Sequence, residues 1–383
     1  MGSPHRYREI DVGGTPRELG RQLGEAAREE IRGFCAIAME RVNRTVAITR
    51  EAAIDVARCS IPIAEHYDPA MIEELRGTAE GARVSLEELM LLQVRNQLKP
   101  ADAGCTSFSI GQPLCRERIV AQNWDADPAL DEFTIVLTRR PVGKPAFMTI
   151  TQAGLIAYIG FNSEGVGVCA NTLPAPSRRL GVPHYFLLRG IYEASSLNGT
   201  IDSVNRAERA IPANIMMTTP QGPANLEVTL DAVHVLTGDG SGLVTHTNHC
   251  RHPDLVAIND LFPELIQSHS RQTRIDRLLA SISNGDGCVS AGGTRQFDSP
   301  DESLKLTREA TLDVLQAALR DHENYPRSIC RHVNEDQPTG FWQTVFSVII
   351  EPERSQMQIT RGTPCSHPYE TYRMKSTASP KTV

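Results

Sequence analysis

A chain of 383 residues is long enough to bury a sizeable core without disulfides or a structural metal, and 40% hydrophobic with 22% charged residues is an ordinary globular balance. A net charge of −7, aromatic residues at only 5% and the lack of a Lys/Arg stripe argue against nucleic acid as a partner. No stretch approaches the roughly 20 apolar residues that cross a bilayer, and the opening MGSPHRYREIDVGG lacks a signal-peptide core, so a cytoplasmic protein with no membrane partner is expected.

The first quarter of the chain reads as helix. In PRELGRQLGEAAREEIRGFCAIAMERV, Leu19, Leu23, Ala27, Ile31, Phe34, Ala38 and Val42 recur every three or four residues, which places them on one face of a helix over 16–42. Further helices are predicted over REAAIDVARC and PAMIEELRGTAEGA, and Ser85 with Glu88 forms a capping box that opens another through LEELMLLQVRNQL. After the loop KPADAG the period changes. CTSFSI, RIVAQNW, FTIVLTRR, AFMTITQ and IAYIGF are β-branched and aromatic runs separated by Gly, Pro and Asp, the pattern of an antiparallel meander.

Helices are predicted again over PHYFLLRGIYEAS and SVNRAERA, then strands over ANIMMTT, LEVTLDA and LVTHTN. Two more helices, SRQTRIDRLLASI and TREATLDVLQAALRDH, precede a last hairpin in TVFSVIIEPERSQMQIT. DGCVSAGGTRQFDSPDES between those helices reads as a surface loop, and the tail STASPKTV as disordered. Strand blocks and helix blocks segregate, so the fold class expected is α+β, antiparallel sheets with helices packed outside them. There is no internal repeat, and the only natural division falls at KPADAG.

That division carries the chemistry. The nine cysteines are scattered singly with no CxxC, a pattern of reduced thiols that are mostly small buried hydrophobes. Cys105 differs from the rest in following Gly104 at the point where helix gives way to strand. A free thiol, with pKa about 8.5, is mostly protonated near neutrality and needs a base. If the chain is cut just before Cys105, the freed α-amino group, with pKa about 7.7–8.0, supplies that base on the same residue. Gly104, lacking Cβ, lets the scissile peptide strain and the thiol approach its carbonyl. The plainer alternative is a buried cysteine at the start of a strand.

Read in order, GCTSFSI, AQNWDAD, AGLIAYIGFNSEGVGVCANTL, GVPHYFLLRGIYEAS, VTHTNHC and NYPRSICR resemble the acyl-coenzyme A:6-aminopenicillanate acyltransferase family of N-terminal-nucleophile hydrolases. The N-terminal GTPRELGRQLGE also looks like that family's pro-region. The resemblance implies an αββα sandwich of two antiparallel sheets and autocatalytic cleavage between Gly104 and Cys105. It further implies a heterodimer of a helical small subunit, residues 1–104, and a large subunit, residues 105–383. Cys105 would form an acyl-enzyme from a small-molecule or peptide amide, or from an acyl-CoA thioester, with no cofactor required.

The resemblance assigns three more positions. Asp125 of QNWD would orient the α-amine and assist processing. Asn248 of HTNHC would donate to the oxyanion. Arg331 of SICR would pair with Asp125 or with a substrate carboxylate. Water or an amine could take the acyl group, and the sequence leaves hydrolysis and transfer both open.

Three other readings compete with this one. HTNHCRH offers His246, His249, Cys250 and His252, but its spacing matches no standard zinc finger and alternate strand faces would separate His246 from His249, so no metal is expected. A conventional Cys–His dyad could use Cys105 with His246 or His332. A non-catalytic binding relative of the same fold is the third.

Overall fold

A computed structural model describes residues 5–99, 104–238, 240–283, 307–336 and 339–376. Both the loop expected around 286–303 and most of the C-terminal tail lie outside the described residues.

The chain opens on a strand rather than a helix. β1 (Glu9–Gly14) alternates exposed and buried residues and is followed by α1 (Pro16–Ala26) and α2 (Arg28–Val42). The single helix expected over 16–42 is broken at fully buried Ala27, where φ −111° and ψ 31° leave the helical region. The apolar stripe survives the break, but α1 lies against α4 whereas α2 lies against α5. α3 (Arg50–Tyr67) runs past its expected end and through Pro62, α4 (Pro69–Ala82) starts at the Asp68 cap, and α5 (Leu86–Val94) begins with the Ser85–Glu88 capping box. Glycines let α1 and α4 touch backbone to backbone. A Cβ on Gly20 would fall 1.8 Å from the Glu74 carbonyl oxygen, and one on Gly77 would fall 2.2 Å from that of Arg17.

Beyond the KPADAG loop come β2 (Gly104–Ile110), β3 (Ile119–Ala126), β4 (Thr134–Pro141), β5 (Phe147–Gln152), β6 (Ile159–Asn162) and β7 (Gly167–Asn171). α6 (His184–Ile191) and α7 (Leu197–Asn205) lead to β8 (Ala213–Thr219), β9 (Gly222–Val228), β10 (Val233–Leu236) and β11 (Leu243–His246). α7 starts six residues earlier than predicted because Ser196 caps it, its hydroxyl accepting from the Gly199 N–H at 3.2 Å. α8 (Ser268–Ser283), α9 (Arg308–Leu319), β12 (Gln343–Glu351), β13 (Gln356–Arg361) and β14 (Glu370–Arg373) complete the described elements.

The strands form two sheets. One has the order β1-β4-β5-β6-β7-β8-β9-β10 and the other β11-β2-β3-β12-β13-β14; every pairing is antiparallel except β1 with β4. The expected meander is therefore split, its first two strands in one sheet and the rest in the other. Between the sheets, Val120, Trp124, Val348 and Ile350 share a core with Cys169 and Met217. The outer face of the six-stranded sheet, including Phe108, Ile119 and Ile349, packs on Ile275 and Leu279 of α8 and Leu312 and Leu315 of α9. The helices of the first quarter join the core of the eight-stranded sheet on its other side. The fold is thus α+β with αββα layering, and both faces of β2 and β3 are buried, so these strands are apolar or uncharged nearly throughout. β1 is a strand of the eight-stranded sheet, and the described helices before β2 share its core.

Candidate active site

The four predicted positions converge because neighbouring strands deliver them to one sheet end. β2 and β3 run antiparallel with Gly104 opposite Asp125 and Cys105 opposite Trp124. β11 flanks β2 and, two residues past its pairing, brings Asn248 alongside Cys105. β12 flanks β3 and sets Thr344 opposite Asp125. The segment before β12 then carries Arg331 to Thr344.

Cys105 is buried, its Sγ 3.7 Å from the Ala170 carbonyl oxygen. Burial, reinforced by the Asp125 charge and opposed by Gln122 and Arg271, pushes its thiol up to about 12. The thiol is therefore protonated near neutrality, and any reaction through it would require a proton acceptor. Its peptide N–H donates to Asn248 Oδ1 at 2.9 Å, while Asn248 Nδ2 donates to the Thr172 carbonyl at 2.9 Å.

Arg271 of α8 organises the same point from behind. Its Nη1 donates to the Cys105 carbonyl at 2.6 Å and to Thr106 Oγ1 at 2.9 Å, its Nη2 to Asn248 Oδ1 at 2.8 Å and its Nε to the Ile266 carbonyl at 2.8 Å. Every nitrogen of the guanidinium is thus paired.

Asp125 is fully buried. Thr344 Oγ1 donates to its Oδ1 at 2.7 Å, and its Oδ2 has no partner among the described residues. Burial raises the carboxyl to about 6, with Arg271, the Thr344 hydroxyl and Arg331 pulling the other way. Arg331 reaches Asp125 through Thr344, whose hydroxyl accepts the Arg331 backbone N–H at 2.9 Å. The Arg331 side chain donates from Nη1 to Gln267 Oε1 at 2.9 Å, and its Nε and Nη2 have no partner among the described residues. Burial lowers this guanidinium to about 10 although Asp125 supports its charge.

Sequence reading missed Arg271, Thr344, Gln122 and Asn171. Gln122 donates to the Ala170 carbonyl at 2.7 Å and to Asn171 Oδ1 at 3.1 Å, and Asn171 Nδ2 donates to Ser107 Oγ at 2.8 Å and to the Thr247 carbonyl at 2.9 Å. These bonds lock β7 against the strands carrying Cys105 and Asn248. An asparagine ending the strand in CANTL, a glutamine on an otherwise buried strand and an arginine on a helix's core-facing positions were the available signals.

Cys105 opens on a cavity of about 130 Å³ lined by Trp124, Tyr158, Tyr185 and Asn171, with Phe34 and Arg95 contributed by the N-terminal helices. The Arg95 guanidinium lies 5.1 Å from the Phe34 ring centroid and 5.0 Å from that of Tyr185. Burial, with Arg95 nearby, lowers His184 at this cavity to about 4, so it is neutral.

The histidines proposed for a dyad are engaged elsewhere. His246 Nε2 lies 2.8 Å from Glu227 Oε1 and its Nδ1 2.8 Å from the Thr247 carbonyl oxygen, so both ring nitrogens are taken. His332 Nε2 lies 3.2 Å from His322 Nε2 and 3.6 Å from Cys330 Sγ. HTNHCRH does not close on one point: His249 Nδ1 meets Ser268 Oγ at 2.7 Å, and His252 sits with His234 and Asp254.

An αββα sandwich with a buried thiol at the start of a central strand, facing a cavity, is the class of protein these features define. Residues 112–365 match the acyl-coenzyme A:6-aminopenicillanic acid acyl-transferase family, and the chain belongs to that family. The matched span begins after Cys105 and contains Asp125, Asn248 and Arg331. The chain is also 29% identical over 367 residues, 94% of each chain, to the 40 kDa form of acyl-coenzyme A:6-aminopenicillanic-acid-acyltransferase of Emericella nidulans. Among solved structures it resembles penicillin V acylase from Agrobacterium tumefaciens, with TM-score 0.44 and 9% identity over 70% of this chain and 86% of that one. A variant of conjugated bile acid hydrolase from Clostridium perfringens gives TM-score 0.44 and 10% identity over 73% of this chain and 100% of that one. Among the described residues no helix is long and apolar enough to cross a membrane.

Proposed function

We propose that the chain cleaves itself between Gly104 and Cys105 and then acts as a cysteine amidohydrolase or N-acyltransferase through an acyl-Cys105 intermediate. The observation that carries this reading is the Cys105 nitrogen held at 2.9 Å by Asn248 Oδ1, with the Asp125 carboxyl across the strand from Gly104. An ordinary strand-initial cysteine has no use for a buried amide at its peptide nitrogen and a buried acid opposite the preceding residue.

In processing, the Cys105 thiol gives its proton to the Asp125 carboxylate, which is largely ionised at neutral pH, and Sγ attacks the Gly104 carbonyl carbon. The C–N bond breaks, the Cys105 nitrogen takes the proton, and a thioester links Gly104 to Sγ. Water then attacks the thioester, releasing a Gly104 carboxylate, the free thiol and a new α-amino group. Asn248 Oδ1 already accepts from that nitrogen and needs no rearrangement to hold it as an amine.

In turnover, the α-amine takes the thiol proton as Sγ attacks the carbonyl of an amide or thioester. It returns the proton to the departing amine or thiolate, leaving the acyl group on Sγ. Water or an acceptor amine completes the reaction, its attack assisted by the same α-amine. Arg331, charged and incompletely paired, supplies a positive field at the site without joining the proton transfers.

The cavity supports an apolar acyl group. It is aromatic-walled and of the size that admits roughly a benzene-sized group, so the amine or coenzyme part of a substrate stays at the mouth. A panel of aryl-acyl amides and aryl-acyl-CoA thioesters, with and without amine acceptors, tests the reading. Acyl release or transfer that is lost when the α-amine of Cys105 is acetylated supports it; activity untouched by acetylation contradicts it.

A further inference from the structure

Four side chains outside the reaction site gather around the segment that carries Arg331. His322 follows α9, Cys330 and His332 precede β12, and Cys365 follows β13, yet one potential ligand atom from each lies within 4.8 Å of all the others. His332 Nε2 lies 3.2 Å from His322 Nε2, 3.6 Å from Cys330 Sγ and 3.5 Å from Cys365 Sγ.

The three separations from His332 Nε2 match those between ligands of one tetrahedral site, and the other pairs lie within 4.8 Å. With Zn–S about 2.3 Å and Zn–N about 2.0–2.1 Å, tetrahedral angles put N···N at about 3.3 Å and S···N at about 3.5 Å. A hydrogen bond between the two imidazoles would account for one contact. It would not bring two sulfurs onto the same imidazole nitrogen. We propose that His322, Cys330, His332 and Cys365 form a structural Cys₂His₂ site for zinc.

The donor set is that of a closed zinc site, two thiolates and two neutral imidazoles, rather than the oxygen-rich set that suits magnesium or calcium. Cys330 is buried, whereas His322 and Cys365 reach the surface and leave an entry path. Backbone bonds hold the ligands in place: the Cys330 N–H donates to the Asp321 carbonyl and the His332 N–H to that of Pro326, each at 3.0 Å. Sequence reading expected no metal, and the ligands escaped it because they are spread over residues 322–365 without a finger's spacing.

The ligands flank Arg331 on both sides. Cys330 and His332 both face the four-residue cluster, whereas the Arg331 side chain between them donates to Gln267. Zinc would clamp this segment to the turns after α9 and β13, and so position Arg331. This last step rests on the proposed active site; the metal site does not.

The test is metal analysis of the full-length protein purified without a metal-affinity step, beside Cys365→Ser and His332→Ala. About one zinc per chain is expected for the wild type, with at least a tenfold fall in each variant. The wild type exchanged into cobalt(II) should show a thiolate-to-cobalt charge-transfer band, a reading that does not depend on any variant folding. A wild type that binds neither metal with Cys330 and Cys365 as free thiols, or in which those two form a disulfide, overturns the site. A zinc-bound chain that never cleaves at Gly104/Cys105 would leave the metal site standing and overturn only the processing reading.

Discussion

The Cys105 peptide nitrogen and the Arg271 guanidinium both donate to one oxygen, Oδ1 of Asn248, at 2.9 and 2.8 Å. Asn248 thus meets Cys105 as an acceptor, with its own N–H₂ group turned to Thr172. The resemblance assigned it the opposite role, donation to an oxyanion. The acceptor is the part of the amide that faces Cys105, which suits the proposed role of holding an α-amine.

Substitutions separate the two roles. Asn248→Ala removes both and should slow cleavage and turnover by about 10²–10³-fold. Asn248→Asp keeps the acceptor beside Arg271 and should retain most of the cleavage rate. If the aspartate variant cleaves as slowly as the alanine variant in a time course resolved on denaturing gels, the amide N–H₂ is the part that matters.

Asp125 predicts a pH dependence for processing. In the proposed processing step its ionised form takes the thiol proton, so cleavage should fall as pH drops through about 6 and Asp125→Asn should abolish that limb along with most of the rate. The sign for stability is opposite. The folded pKa is raised above the unfolded one, so the contribution to stability is present below the unfolded value and lost as pH rises through about 6. Asp125→Asn should therefore be as stable as the wild type or more stable above pH 7, by up to about 3 kcal/mol. Thermal melts at pH 5 and pH 8 check this; a variant less stable at pH 8 would contradict the burial argument.

If the chain is cut at Gly104 as proposed, the small and large segments must be held together by contacts across that division. Arg139 of β4 and Glu74 of α4, each at most 2% exposed, pair at 2.7 Å across that division, with Arg189 3.8 Å from the same carboxylate. Glu74→Ala leaves two buried guanidinium groups without their shared anion and should cost about 3–5 kcal/mol in urea denaturation. A loss under about 1 kcal/mol would show that water or rearrangement replaces the pair.

Much of this was legible in sequence for stated physical reasons. Long periodic segments such as α2 and β3 carry their own signal, and Ser85 with Glu88 announced a helix start that the structure reproduces. β1 was not legible: EIDVGG is six residues with two charges, and its partner β4 lies more than a hundred residues away. The break at Ala27 leaves no trace in composition because alanine suits either conformation. In the site, Cys105, Asp125, Asn248 and Arg331 stood out through their motifs and do converge. Arg271 did not, because a buried arginine on an amphipathic helix looks like a surface one until its acceptors, the Cys105 and Ile266 carbonyls, are in place.

The central claim is that Gly104–Cys105 is a cleavage site. Intact-mass spectrometry of the purified protein beside Cys105→Ala tests it most directly. The wild type should give two masses that meet between Gly104 and Cys105, the larger beginning with a free cysteine, and the variant a single full-length mass. A wild type that remains one full-length chain yet turns over amides would contradict the account.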